Sequence, residues 1–143
     1  MVQIQTKYRG DLHCEAEHLP SANTLVTDAP KDNRGRGEAF SPTDLIATSL
    51  GTCIATILGI QARDLDLDLE GLRVTVEKHM AEGPRRIDRL VTNVWMPMAP
   101  GDSLRQRLER AARGCPVHHS IHPDIDAPIT FHWPAEETAD AAP

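Results

Sequence analysis

Aromatic side chains are scarce, with two Trp, one Tyr and two Phe in 143 residues. Aliphatic side chains must therefore build the core. Cysteine occurs three times, at 14, 53 and 115, with no CxxC spacing. An odd, scattered set does not make a disulfide framework, so these are free thiols or a reactive pair. Basic residues are outnumbered, 15 Lys and Arg against 21 Asp and Glu, for a formal charge of -6. With no basic stripe, a nucleic-acid partner is excluded. No GxxxxGK[ST] or GxGxxG motif is present, so a phosphate cradle is not indicated. No apolar run approaches membrane-spanning length, and residues 1–20 lack a signal-peptide core. The expectation is a cytoplasmic protein without a membrane partner. Nothing in the sequence calls for a metal or an organic cofactor.

What is present centres on Phe40–Cys53. Ser41 is a good helix N-cap, and Pro42 follows at the first helical position. Asp44 stands where a capping box reaches back, and Phe40 and Leu45 are spaced for a hydrophobic staple. Ile46, Leu50, Cys53 and Ile57 fall on one helical face. The reading is a buried core helix with Cys53 about three turns in.

The length fits one domain, expected over 1–133, with an acidic tail at 134–143 expected to be disordered. Alternation predicts strands at Val2–Thr6, Leu12–Glu17 and Thr24–Asp28, joined by turns at Tyr8–Asp11 and Pro20–Asn23 as an antiparallel meander. Cys14 reads as a small hydrophobe on the second strand. Residues 29–39 form a polar, glycine-rich loop that could deliver Arg34 or Arg36 to the mouth of the helix carrying Cys53. Asp64–Leu69 alternates with period two and reads as a wet sheet edge. Leu72–Glu77 and residues 87–96 predict an antiparallel pair; Leu90, Thr92, Val94 and Met96 share one face of the second, Val91 and Trp95 the other, and both faces are expected to be partly covered. Asp102 or Ser103 would cap another helix, with Leu104, Leu108, Ala111 and Cys115 along its apolar stripe. Pro116 breaks that helix. If a new turn starts there, Cys115 caps it, and the free amides favour its thiolate. A last strand is expected within Ile125–Trp133.

The order gives an α+β fold, antiparallel sheet covered by helices. The central helix is apolar over more than one face, which predicts a homodimer. A rival site exists in Cys115, His118, His119 and His122: on a helix Cys115, His118 or His119, and His122 share one face and would suit zinc or copper.

Pro42-Thr43-Asp44-Leu45 with Cys53, and later Gly114-Cys115-Pro116-Val117, resemble the OsmC/Ohr family. The Tyr8–Asp11 turn and the final strand fit as well. The resemblance implies antiparallel sheets wrapped around two central helices in an intertwined homodimer. It implies reduction of organic or related hydroperoxides, with Cys53 attacking, Cys115 resolving by a Cys53–Cys115 disulfide, and an external dithiol reducing the pair. It also implies an arginine and a glutamate that hold the thiolate. The arginine falls on Arg36, with Arg9 and Arg34 as alternatives. Thr43 stands at the glutamate position, and the nearest carboxylate is Asp44. The alternative on this scaffold is a non-catalytic protein holding a small apolar ligand at the dimer cleft.

Overall fold

The structure, a computed structural model, describes residues 1–135. Most of the tail expected to be disordered therefore lies outside the described residues. The chain divides into two compact units, Met1–Ile46 and a second beginning at Ala47.

In the first unit, β1 (Ile4–Gly10), β2 (His13–His18) and β3 (Asn23–Asp28) form an antiparallel meander in the order β1-β2-β3. The expected turn at Tyr8–Asp11 is shorter than its sequence suggested. Strand β1 runs on to Gly10, and Asp11 and Leu12 take positive φ to reverse the chain. Cys14 sits in the ladder between Tyr8 and Thr27, half-buried.

After β3 the glycine-rich loop folds back on the strand end. A short 3-10 turn, Lys31–Asn33, is followed by Gly35, where a Cβ would lie 1.7 Å from the Ala29 carbonyl oxygen. Only glycine fits that approach. The Gly35 amide donates to Pro30 O, the Gly37 amide to Ala29 O, and the Glu38 amide to Asp28 Oδ2 at 3.0 Å. The loop's glycines thus serve chain closure. The Glu38 amide, then the charge of His13, hold the Asp28 carboxyl below its ordinary pKa. The His13 pKa is raised, first by its hydrogen bond to the Asp11 carbonyl and then by Glu38 and Asp28.

Helix α1 (Pro42–Asp64) opens with a capping box. Ser41 Oγ accepts from the Asp44 amide at 3.1 Å, and Asp44 Oδ2 accepts from the Ser41 amide at 2.9 Å. Asp44 thus does the work glutamate usually does in such a box. Caps of this kind contribute about 1 kcal/mol. Phe40 is exposed and forms a one-residue β-bridge with Thr27.

In the second unit, β4 (Arg73–Ala81) pairs antiparallel with β5 (Arg86–Trp95), as expected. Strand β6 (Ile129–His132) pairs with β5 in parallel, so this sheet, ordered β4-β5-β6, is mixed and not purely antiparallel. Between β5 and β6 lie α2 (Asp102–Arg113) and α3 (Pro116–Ser120). That long excursion allows the parallel return. The cap of α2 is Gly101, not Asp102 or Ser103, and no side chain bonds there.

The buried face of α1 is Ala47, Leu50, Ile54, Leu58 and Ala62. This corrects the expected stripe: Leu50 is kept, while Cys53 and Ile57 sit at the margin of the core and Ile46 is exposed. Gly51 lets the helix approach the sheet, since a Cβ there would meet Val76 Cγ2 at 3.2 Å. Leu90, Val94 and Met96 of the β5 segment, with Leu108, Ala112 and Cys115, complete the core. Ala112, not Ala111, is the fully buried alanine of α2.

Asp64–Leu69 is a loop and not a sheet edge. The Leu65 amide still donates to Gln61 O, Asp66 turns left-handed, and the Leu67 amide returns to Ala62 O. The leucines of this loop pack against the core. Helix α1 is also long and apolar enough to cross a membrane, contrary to the expectation that no run approaches that length. Its Ser, Thr and Gly residues mask that apolar character by eye. The buried stripe makes it a core helix in this unit.

Candidate functional site

The two cysteines expected to react both lie in the second unit. Cys53 lies on α1 and is half-buried; Cys115 lies between α2 and α3 and is fully buried. The Cys53 sulfur is near enough to act electrostatically on the Cys115 thiol, and both pack on the same core.

The break that places Cys115 follows from three residues. Gly114 ends α2, its amide donating to the carbonyls of the last turn. Cys115 takes an extended backbone, and Pro116 opens α3 where no amide hydrogen is needed. Cys115 Sγ then accepts from the His118 amide at 3.3 Å, as an N-cap. The cap was legible in the sequence, but its effect on ionisation was not. Burial pushes the Cys115 thiol above its ordinary pKa, and the neighbouring Cys53 sulfur pushes it further; the His118 amide offsets only part. Desolvation of an anion outweighs one or two amides here. Cys115 is therefore held as a thiol.

Cys53 faces an open groove of about 430 Å³, lined by Ser49, Thr52, Thr56, Ile57, Pro116 and Val117. Thr52 Oγ1 donates to Thr48 O and Thr56 Oγ1 to Thr52 O, each at 2.8 Å. With both hydroxyls turned back on the helix, the groove is mainly apolar. The spacing of Ser49, Thr52 and Thr56 at i, i+3 and i+7 carried this signal in the sequence. It was hidden because hydroxyl residues on a helix read as solvent-facing.

One accessible and one buried thiol imply an order of reactivity. At pH 7.5, iodoacetamide is expected to label Cys53 at least about tenfold faster than Cys115. Peptide mass spectrometry of timed samples gives the two rates. Equal rates would contradict the assignment of a buried, raised thiol.

The remaining candidates lie in the first unit. Arg36 Nη1 pairs with Glu38 Oε1 at 3.6 Å, both side chains more than half exposed. Arg9 pairs with Glu15 at 3.2 Å. Arg34 ends the 3-10 turn with a left-handed backbone. Asp44 belongs to the capping box, and Thr43 Oγ1 lies 3.2 Å from Ser41 Oγ within it.

The Cys115, His118 and His122 set does not converge. Helix α3 ends at Ser120, before His122. The His118 Nε2–H donates to Ala127 O at 3.2 Å, and His122 Nδ1 accepts from the Asp124 amide. Among the described residues, the three side chains whose ligand atoms cluster are His13, Asp28 and Glu38.

The chain belongs to the OsmC-like family: the sequence model described as OsmC-like protein matches residues 35–129. Among solved structures, the chain is 45% identical to a Psychrobacter arcticus 273-4 protein assigned to the osmotic stress induced and detoxification response. That match has a TM-score of 0.88 and covers 92% of this chain and 96% of the other. The organic hydroperoxide resistance protein OsmC of Legionella pneumophila shares the fold at 16% identity and TM-score 0.74, with 92% and 96% coverage. The organic hydroperoxide resistance protein OhrB of Bacillus subtilis does so at 13% identity and 0.69, with 92% and 98% coverage. No functionally curated protein matches the sequence.

Proposed function

We propose that this protein is a cysteine-dependent reductase of organic hydroperoxides. The observation that carries the reading is a buried Cys115 under the electrostatic influence of Cys53, with Cys53 alone of the two lining an apolar groove. The Cys53 thiolate attacks the terminal peroxide oxygen of ROOH. The O–O bond breaks, the alcohol ROH leaves with a proton, and Cys53 becomes a sulfenic acid. The Cys115 thiol condenses with it, water leaves, and a Cys53–Cys115 disulfide remains. An external dithiol returns both cysteines to thiols and is itself oxidised. The raised Cys115 pKa suits the resolving role, because a neutral buried thiol does not compete for peroxide.

The apolar lining favours substrates with a hydrocarbon body over hydrogen peroxide. We assign Arg36 as the cation that holds the Cys53 thiolate, and Asp44 as the cap that fixes the start of its helix. The Arg36 ion pair with Glu38 is exposed and therefore weak, so the guanidinium is cheaply released. Arg36→Ala is expected to slow alkylation and peroxide reduction at Cys53 by about tenfold, with Arg36→Lys restoring part of the loss. Unchanged rates in Arg36→Ala would remove this assignment.

We place the protein in the cytoplasm as a homodimer. Only 22% of the apolar window of α1 is buried within one chain, and Ile46 and Ile60 are exposed on it. The sheet of the first unit likewise exposes Ile4, Tyr8, Leu25 and Val26. A second copy covering such faces removes the apolar exposure.

The groove's apolar lining equally fits a second reading, a binding protein that holds a small apolar ligand without turnover. The experiment that separates the two is consumption of cumene hydroperoxide at the expense of dithiothreitol. Catalytic consumption supports the reductase. Ligand binding that persists in Cys53→Ser, with no peroxide consumed by the wild-type chain, supports the binding protein.

A further inference from the structure

His13 opens β2 and Asp28 closes β3, directly opposite each other in the antiparallel ladder. Paired residues present their side chains on the same face of a sheet. Glu38 is brought to them by the returning loop, its amide donating to Asp28 Oδ2. His13 Nε2 lies 3.1 Å from Glu38 Oε2 and 3.6 Å from Asp28 Oδ2. One ligand atom from each of the three residues lies within 4.8 Å of the others.

The proton on the imidazole is fixed by its other nitrogen. His13 Nδ1 is 2.7 Å from the Asp11 carbonyl oxygen, which can only accept. Nδ1 therefore carries hydrogen, and Nε2 is the ring nitrogen turned toward the two carboxylates. A backbone carbonyl on the far nitrogen is the usual support for a metal-bound histidine. The two carboxylates call for positive charge at Nε2, which a proton or a metal ion taking its place can supply. A second proton on Nε2 would serve Glu38 at 3.1 Å but leave Asp28 at 3.6 Å, beyond hydrogen-bond reach.

The Asp28 carboxylate supplies the independent sign. The residue is 1% exposed, and its Oδ1 has no hydrogen-bond partner. The Arg36 and Ala29 amides also favour its charged form, less than the Glu38 amide does, and the Ala29 amide donates to Leu12 O. An orphaned carboxylate oxygen at this depth is costly unless something positive sits beside it.

We propose that His13, Asp28 and Glu38 form a binding site for a divalent first-row transition metal. One imidazole with two carboxylates suits zinc, manganese or iron(II), whereas calcium and magnesium prefer all-oxygen shells. The spacing fits: ligands about 2.1 Å from a tetrahedral ion stand about 3.4 Å apart, between the two distances His13 makes. Glu38 is half exposed, which leaves an entry path and an outward coordination position for water. The site uses no sulfur and stands apart from the thiol chemistry proposed above.

The test uses the full-length, reduced protein and Mn²⁺, which thiolates bind weakly. Loss of the free-ion electron paramagnetic resonance signal counts bound manganese, and Zn²⁺ then competes for the site. The expected result is one saturable Mn²⁺ per chain, displaced by Zn²⁺ and retained in Cys53→Ser and Cys115→Ser. Glu38→Gln and His13→Ala should weaken binding at least about tenfold. Glu38 is exposed enough that its variant keeps the fold, which an unchanged urea midpoint verifies. Absence of saturable binding, or binding unaltered in both variants, overturns the proposal.

Discussion

Cys53→Ser is expected to abolish hydroperoxide reduction, a loss on the order of a hundredfold or more, down to the rate of the buffer. A serine hydroxyl is not ionised near neutral pH and does not attack a peroxide bond, so the covalent route closes at its first step. Cys115→Ser separates the two roles. It should still consume one equivalent of peroxide per chain and then stall, with a Cys53 sulfenic acid that dimedone traps. The substitution is structurally mild, because serine is itself a good N-cap and its oxygen can accept from the His118 amide in place of sulfur. Failure of turnover in Cys115→Ser would thus report chemistry and not unfolding. If both variants lost the first equivalent, the division into attacking and resolving thiols would be wrong. If Cys53→Ser kept full activity, the site would lie elsewhere.

The largest stability effect is expected at Leu58, fully buried in α1 within the cluster that includes Leu90, Val94 and Leu108. Leu58→Ala removes apolar contacts and leaves a cavity, which costs about 2–5 kcal/mol. Against a total of about 5–15 kcal/mol for an ordinary domain, that is a large share. Urea unfolding followed by circular dichroism measures it as a lower midpoint with unchanged slope. The same curves test assembly. A homodimer's midpoint rises with protein concentration, and a midpoint independent of concentration would contradict the proposed dimer. A loss below about 1 kcal/mol in Leu58→Ala would show that α1 is not the core helix described.

Much of this arrangement was legible before any coordinates. Alternation marked the three-stranded meander, and it put Leu90, Thr92, Val94 and Met96 on one face, which the fold buries, without telling that face from the one with Val91 and Trp95. The Gly114-Cys115-Pro116 break announced itself, because proline ends one ladder and starts another. What failed did so for physical reasons. Helix α1 is apolar over so much of its surface that periodicity weakly favours any one stripe, and the chosen face was rotated from Ala47, Leu50, Ile54 and Leu58. The period-two alternation of Asp64–Leu69 came from leucines folding down on the core around a left-handed Asp66, which mimics a strand. Parallel pairing of β6 depends on the α2–α3 excursion, which no local pattern encodes.

At the candidate site the pairing of Cys53 with Cys115 was reached through family resemblance, and both cysteines pack on the core of the second unit. The ionisation of Cys115 had the wrong sign because an N-cap is visible in sequence and the depth of its burial is not. The His13, Asp28 and Glu38 cluster escaped notice because strand register and a folded loop create it.

The central claim is that Cys53 and Cys115 are one redox pair. Its most direct test is disulfide mapping after one equivalent of cumene hydroperoxide is added to the reduced chain. The prediction is the loss of two of the three thiols, with a single intrachain link between the Cys53 and Cys115 peptides and Cys14 still free. Three intact thiols, or a link through Cys14, would contradict it.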